Sequence, residues 1–501
     1  MAGESTATLR NSNPWQNNAR FKPLEFSELM EMPEWRDRQE KWERLAEQDK
    51  WDEVTKEFRV LVKPVLDEIR VSKPVSDLRS LNKGPLPKSA GPTTDTINWV
   101  DLVLSGGGVL GYAHVGYVLA LEDAGLRFRA IGGASAGAVA AFIMGAVRKS
   151  PDAPVADDLL RLMVEMPTST FDDGGKAERA LLSAITGILE KRISTLDFFS
   201  LPLFPFALGT ALKNSGLHPG KTFEDWLKNL MNTYGAGTLS DLKAKCDLSK
   251  IEWLKVEDGR QPQDVEGLVC CVAADITTST KAVLSWERPV NFDQPPVTHS
   301  ELYMANPDGE NPGHCVRASM AVPFFFFPKK FPVQPGEKIP YAGQRAVSLP
   351  DTKWKEIGFE DYIPDQVTLV DGGFLSNHPV DLFHVPREKA VWCPTFCVNL
   401  SPPRKALRTR NLIETASALL STGTQTRDFE FVAKNKEYNL LSASVYSGGI
   451  SALNFDVSPV GKYVLFYNGV VAAYNFLVGG DASKGPFNWE DYKSKRKNAT
   501  Y

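Results

Sequence analysis

Gly133-Ala134-Ser135-Ala136-Gly137 spells G-x-S-x-G, the spacing a serine nucleophile needs on a tight turn between a strand and a helix. The serine backbone in such a turn is strained, and strand and helix approach closely on either side of it. Glycine two residues before and after, with alanine adjacent, removes the side chains that would collide there. The apolar run before the motif reads as a strand, and "AGAVAAFIMGAVRK" (136–149) reads as a helix apolar on nearly every face. Ser135 is the candidate nucleophile, and Gly133 and Gly137 are its elbow glycines.

A second glycine cluster, "VDLVLSGGGVLGYAHVG" (100–116), has two readings. Gly106, Gly108 and Gly111 fit the dinucleotide fingerprint G-x-G-x-x-G, between an apolar strand and a helix. The same backbone can instead aim its N–H groups at an oxyanion formed in acyl transfer. A dinucleotide site expects an acid closing the next strand, to hold the ribose. Here that strand ends in "IGGAS", without one. Gly106, Gly107 and Gly108 are therefore read as an oxyanion loop beside Ser135, helped by the positive end of the following helix. No cofactor is expected.

A serine hydroxyl also needs a proton acceptor. Asp173-Gly174-Gly175 lies in a polar link, "TFDDGGKAE", and reads as a loop. Asp371-Gly372-Gly373 ends the strand "QVTLV", which would bring its carboxylate to the sheet edge that carries Ser135. Asp371 is the better base. His378 and His384 follow it and leave a Ser-His-Asp esterase as the rival, since that chain order suits an α/β-hydrolase. His378 falls inside the Asn377–Pro379 turn, and His114 falls on the helix after the glycine loop, so structural roles are expected of these three.

The elements that must position these residues follow a βαβ rhythm. "NWVDLVLS", "FRAIGGAS", "GLVCCVAADIT" (267–277), "QVTLVDGG" (366–373) and "TFCVNLS" (395–401) read as strands. The expected fold is three-layer α/β/α around a mainly parallel sheet. Residues 1–96 form an N-terminal helical extension and linker, 97–480 the catalytic domain with a mostly helical insert at about 150–262, and 481–501 a basic tail. Within the insert, Thr222 and Asp225 are expected to cap the helix in "KTFEDWLKNLM". In the extension, Trp35, Trp42, Leu45, Trp51, Val54, Phe58 and Leu61 recur at helical spacings. That apolar stripe suits packing on the main body better than a membrane or partner surface.

The order Ser-Gly-Gly-Gly-x-x-Gly (105–111), then G-x-S-x-G, then D-G-G with Asn-x-Pro resembles the patatin-like phospholipases. "VRASMAVPFFFFP" (316–328) and "LVCCVAADITTSTKAVLSWE" (268–287) resemble segments of the same family. The resemblance spans residues 98 to 480. It implies a Ser135–Asp371 dyad without a catalytic histidine, acting on acyl esters of lipids, and no metal. One position departs from the family pattern: Leu110 stands where Arg or Lys is usual. Head group, acyl position, hydrolase against acyltransferase, and any protein activator are shared or variable features that the motifs do not separate. A catalytically weak lipid-binding scaffold is the remaining alternative.

A net charge of −4 argues against a nucleic-acid partner, which would need a strong positive field. The six cysteines are scattered, and Cys393 and Cys397 lack a matching His/Cys pair, so reduced thiols in a cytoplasmic protein are expected. No signal peptide or spanning run is read, so lipid contact is expected to be peripheral. "TLDFFSLPLFPFALGTAL" (195–212) reads either as core or as a flap that touches substrate or membrane. The lysines of "DYKSKRKNATY" read either as a solvated end or as a headgroup contact.

Overall fold

The structure, a computed structural model, describes residues 20–72, 84–85, 96–171, 173–175, 215–251, 267–286, 299–304, 306–333, 354–355, 358–359, 364, 366–385, 391, 393–400, 422, 426–452, 454–479 and 486–498. The stretch 195–212 and most of the linker lie outside the described residues.

The strands are Gly84–Pro85 (β1), Thr96–Leu104 (β2), Leu126–Ala134 (β3), Gly216–His218 (β4), Leu268–Asp275 (β5), Thr280–Leu284 (β6), Phe324–Phe326 (β7), Lys329–Pro332 (β8), Gln366–Asp371 (β9), Thr395–Asn399 (β10) and Ser442–Ser444 (β11). β11, β10, β2, β3 and β5 lie side by side in that order and all run parallel. Helices flank this spine, which is why β5 is a nearly continuous apolar run with every residue buried. The helix Ala136–Val147 is buried along its whole length, as its all-round apolar sequence requires.

Antiparallel strands complete the sheet. β1 joins β2, β6 and β9 join β5, and β8 joins β9. β6 pairs with β5 over Cys271–Asp275. β3, opposite Leu268–Val272, and β9, opposite Ala273–Asp275, must therefore share the other side of β5. β3 ends at Ala134 opposite Val272, and β9 ends at Asp371 opposite Ala273. The two strands meet end to end, approaching from opposite directions. Asp371 thus reaches the level of Ser135 on a strand antiparallel to β5, and not as the tip of a further parallel strand.

The N-terminal helices Pro33–Glu47 and Trp51–Val71 pack on the body through the helix Pro459–Tyr474. Trp35 stacks on Tyr463 with ring centroids 5.3 Å apart, Phe58 meets Tyr463 at 5.1 Å, and Trp42 is fully buried. The apolar stripe faces the core: Val54 is buried with Trp42 and Phe58, and Trp35, Leu45, Trp51 and Leu61 pack half-buried against it. At the other terminus, Trp489–Asn498 is a helix with Tyr492 and Arg496 buried. Arg496 donates to Val385 O at 2.6 Å, and Lys493 and Lys495 pair with Glu490 and Asp491. Two of the basic residues of this end are thus held by their own helix's acids.

The cap expected of Thr222 and Asp225 is replaced by another. The helix Lys221–Thr233 starts one residue before Thr222, from Gly220 in the left-handed region, and Asp225 pairs with Lys221. Asp173 supplies the acceptors instead, taking the N–H of Gly220 at 2.8 Å and of Thr222 at 3.0 Å. Asp173→Ala is accordingly expected to lower stability by about 0.5–2 kcal/mol, the cost of losing an N-terminal cap. Chemical denaturation should register that loss, while kcat per folded molecule stays at the wild-type value.

Candidate active site

Ser135 caps the helix Ala136–Val147 with φ 51° and ψ −120°, a conformation that side chains other than glycine rarely adopt. Such strain persists only where the surroundings over-determine it. A Cβ on Gly133 would lie 2.4 Å from Gly137 C, and one on Gly137 would lie 2.1 Å from Leu104 O. Strand, helix and the neighbouring strand touch backbone to backbone, so the elbow cannot relax. The Ser135 N–H is taken by Ser319 Oγ at 2.9 Å, and Ser319 in turn donates to Val272 O at 2.6 Å. Ser319 ends the helix Pro312–Ser319, and sequence reasoning assigned it no role. Its only signal was the segment "VRASMAVPFFFFP".

Asp371 is held from both sides. Its N–H donates to Ala321 O at 2.8 Å, the next N–H, of Gly372, donates to Ser319 O at 3.2 Å, and Oδ1 accepts from Gly373 N at 2.7 Å. Oδ2 is buried as well, and the Ser135 hydroxyl is a side-chain donor to this carboxyl. Burial pushes the Asp371 pKa up to about 6, opposed by the Ser135 hydroxyl and the Gly373 N–H. The hydroxyl also has the Met320 sulfur at 3.4 Å. A hydroxyl rotor can serve either acceptor.

The glycine loop leads from β2 to the helix Tyr112–Asp123. The Gly106 N–H donates to Asn377 O at 2.8 Å, so that donor is engaged within the protein. That donor is committed because the turn after Asp371 lies directly against the loop. A Cβ on Gly106 would sit 3.2 Å from Ser135 Cβ, so the loop also lies against the serine. Among the described residues the N–H groups of Gly107 and Gly108 have no acceptor. Gly108 has φ +55°, and a Cβ there would lie 2.2 Å from Ala452 O. Gly108→Ala is expected to displace the loop from Ser135 and, if the loop supplies an oxyanion donor, to lower kcat by roughly 10²-fold. Steady-state kinetics on a soluble ester checks this, with KM little changed. Leu110, where the family pattern has a basic residue, is buried in the core.

The histidines serve elsewhere. His114 is fully buried with Nε2 2.8 Å from Ser105 O, and burial lowers its pKa to about 4, so the neutral ring donates there. His378 Nε2 is 3.5 Å from Ser442 Oγ, and His384 Nδ1 is 2.7 Å from the Tyr438 hydroxyl. None of the three is a partner of Ser135 or Asp371. Among the described residues no helix is long and apolar enough to cross a membrane.

A curated relative, the uncharacterized protein YqhO of Bacillus subtilis (strain 168), is 26% identical over 373 residues, covering 73% of this chain and 94% of its own. Among solved structures, VipD from Legionella pneumophila matches with a TM-score of 0.33 and 16% identity, over 78% of this chain and 70% of its own. The ExoU–SpcU complex from the type III secretion system of Pseudomonas aeruginosa matches with a TM-score of 0.26 and 15% identity, over 81% of this chain and 53% of the other. The family model for patatin-like phospholipase matches residues 102–384, more than half of the sequence, from the end of β2 to the turn after Asp371. The chain belongs to the patatin-like phospholipase family.

Proposed function

We propose that the protein hydrolyses carboxylic esters of phospholipids or lysophospholipids through an acyl-enzyme on Ser135, with Asp371 as the base. Asp371 takes the hydroxyl proton as Oγ attacks the ester carbonyl carbon. The tetrahedral oxyanion is met by the N–H groups of Gly107 and Gly108. As the carbonyl reforms, the C–O bond to the alcohol breaks, and Asp371 returns the proton to that leaving oxygen. Water then repeats the sequence on the acyl-serine, releasing the fatty acid.

The observation that carries this reading is the meeting of β3 and β9 beside β5, with strained Ser135 and a buried carboxylate of raised pKa at one level. The positions of the histidine rings favour a dyad over a triad. The substrate is proposed to be met at the membrane surface. Turnover of labelled phospholipid vesicles, lysophospholipids and short-chain esters, each beside Ser135→Ala, tests the reading. Turnover of none, or equal turnover by the variant, would overturn it.

A further inference from the structure

We propose that Asp428 is a positioning residue that holds the oxyanion loop in register with Ser135; this rests on the roles proposed above for Ser135 and for the Gly107 and Gly108 donors. Asp428 stands on the helical residues 426–434, beyond the span 102–384 that the family model matches. Its carboxylate accepts from Ser376 Oγ at 2.5 Å and from the His378 N–H at 2.7 Å. Those donors flank Asn377. The Asn377 backbone carbonyl takes the Gly106 N–H at 2.8 Å, and its side-chain amide approaches Gly106 O at 3.4 Å. Gly106 leads directly into the two oxyanion donors. One carboxylate thus ties the turn that begins at Asp371 to the loop that faces the serine.

Asn377 and His378 sit in an irregular turn. Regular structure ends with the single helical turn Gly373–Ser376, and neither a strand nor a helix carries Asn377 and His378. Its shape therefore depends on side-chain-to-backbone bonds, and an ionised acceptor makes the stronger kind. Burial raises the Asp428 pKa to about 6, opposed by Ser376, the His378 N–H and Lys281, with Asp381 adding to the rise. At neutral pH the carboxylate is charged and accepts from both donors. Without it, the Ser376 hydroxyl and the His378 N–H on either side of Asn377 lose this acceptor, and a shift of Asn377 carries Gly106 with it. A misplacement of about 1 Å at reacting groups can cost roughly 10²-fold in rate.

The test uses the full chain, with active sites counted by a fluorophosphonate run to completion and kcat expressed per labelled site on a soluble short-chain ester. Asp428→Ala is expected to lower kcat per labelled site by roughly 10- to 100-fold with KM little changed. In Asp428→Asn the amide oxygen can take the His378 N–H and the amide nitrogen can donate to Ser376 Oγ, so most of kcat should return. Should Asp428→Ala give no soluble protein, Ser376→Ala removes one of the two bonds and should lower the same quantity several-fold. A residue that only stabilises the fold would reduce the labelled fraction and leave kcat per labelled site at the wild-type value; that result overturns the proposal. Equal losses in Asp428→Ala and Asp428→Asn would overturn it too, since charge and not the hydrogen-bonded clamp would then matter. A wild type that takes no label at Ser135 would remove the nucleophile assignment itself, and with it the proposal.

Discussion

Ser135→Ala is expected to lose both fluorophosphonate labelling and ester turnover, the latter by roughly 10⁴-fold or more, since nucleophile and base act as a unit. The geometry adds a second, independent expectation. At φ 51° the serine holds a backbone conformation that costs of order 1–3 kcal/mol. Glycine adopts it without that strain, so Ser135→Gly should be as inactive as Ser135→Ala yet more stable than it. Its larger unfolded-state entropy offsets part of the gain. Probe labelling followed by peptide mapping reads the first expectation, and denaturant unfolding of the two variants reads the second. Label found on another residue would remove Ser135 from the mechanism. A less stable Ser135→Gly would show that the elbow holds no relievable strain.

The parts of this site that the sequence reveals are those fixed by local sterics. Gly133 and Gly137 must be glycine because strand and helix touch there, and a motif of five residues carries that requirement. The helix after Ser135 is equally plain, because burial on all sides writes itself as an unbroken apolar run. Strand direction leaves no such mark. "QVTLVD" has the same composition whichever way it runs, and only its register against β5 makes it antiparallel. As a parallel strand it would bring Asp371 to the sheet edge from the same side as β3, whereas the fold brings it in from the opposite side.

Hydrogen-bond allegiance across long sequence separations is also silent. Gly106 looks identical to Gly107 and Gly108 as text. Its N–H is committed to Asn377, 271 residues away, because the turn after β9 packs on the loop. Asp173 reads as an idle loop acid because the helix it caps starts 47 residues later, at Gly220. Asp428 lies in a segment without a motif, Ser319 in a segment that resembles the family but implies no role for it, and only the folded chain shows what they bind.

Asp371→Asn is expected to abolish turnover nearly as completely as loss of the serine, because an amide cannot take the hydroxyl proton. The folded pKa of Asp371 is about 6, above the ordinary 3.8, and burial is the main cause. The base works only when ionised, so kcat on a soluble ester should fall as pH drops through about 6. Stability moves the other way. A carboxyl with a raised folded pKa binds its proton more tightly in the native state, so it favours folding at low pH. That contribution is lost as pH rises from about 4 through about 6. A shift of about two units corresponds to about 3 kcal/mol at most. The amide of the variant has no charge to desolvate, and its oxygen can still accept from the Gly373 N–H. Asp371→Asn should therefore be more stable than the wild type at pH 7, by on the order of 1–3 kcal/mol, and the gap should close by pH 4. Unfolding curves of both proteins across that range measure it. A variant less stable at pH 7, or a kcat profile flat from pH 5 to 8, would mean that Asp371 is neither the destabilised carboxylate nor the base proposed here.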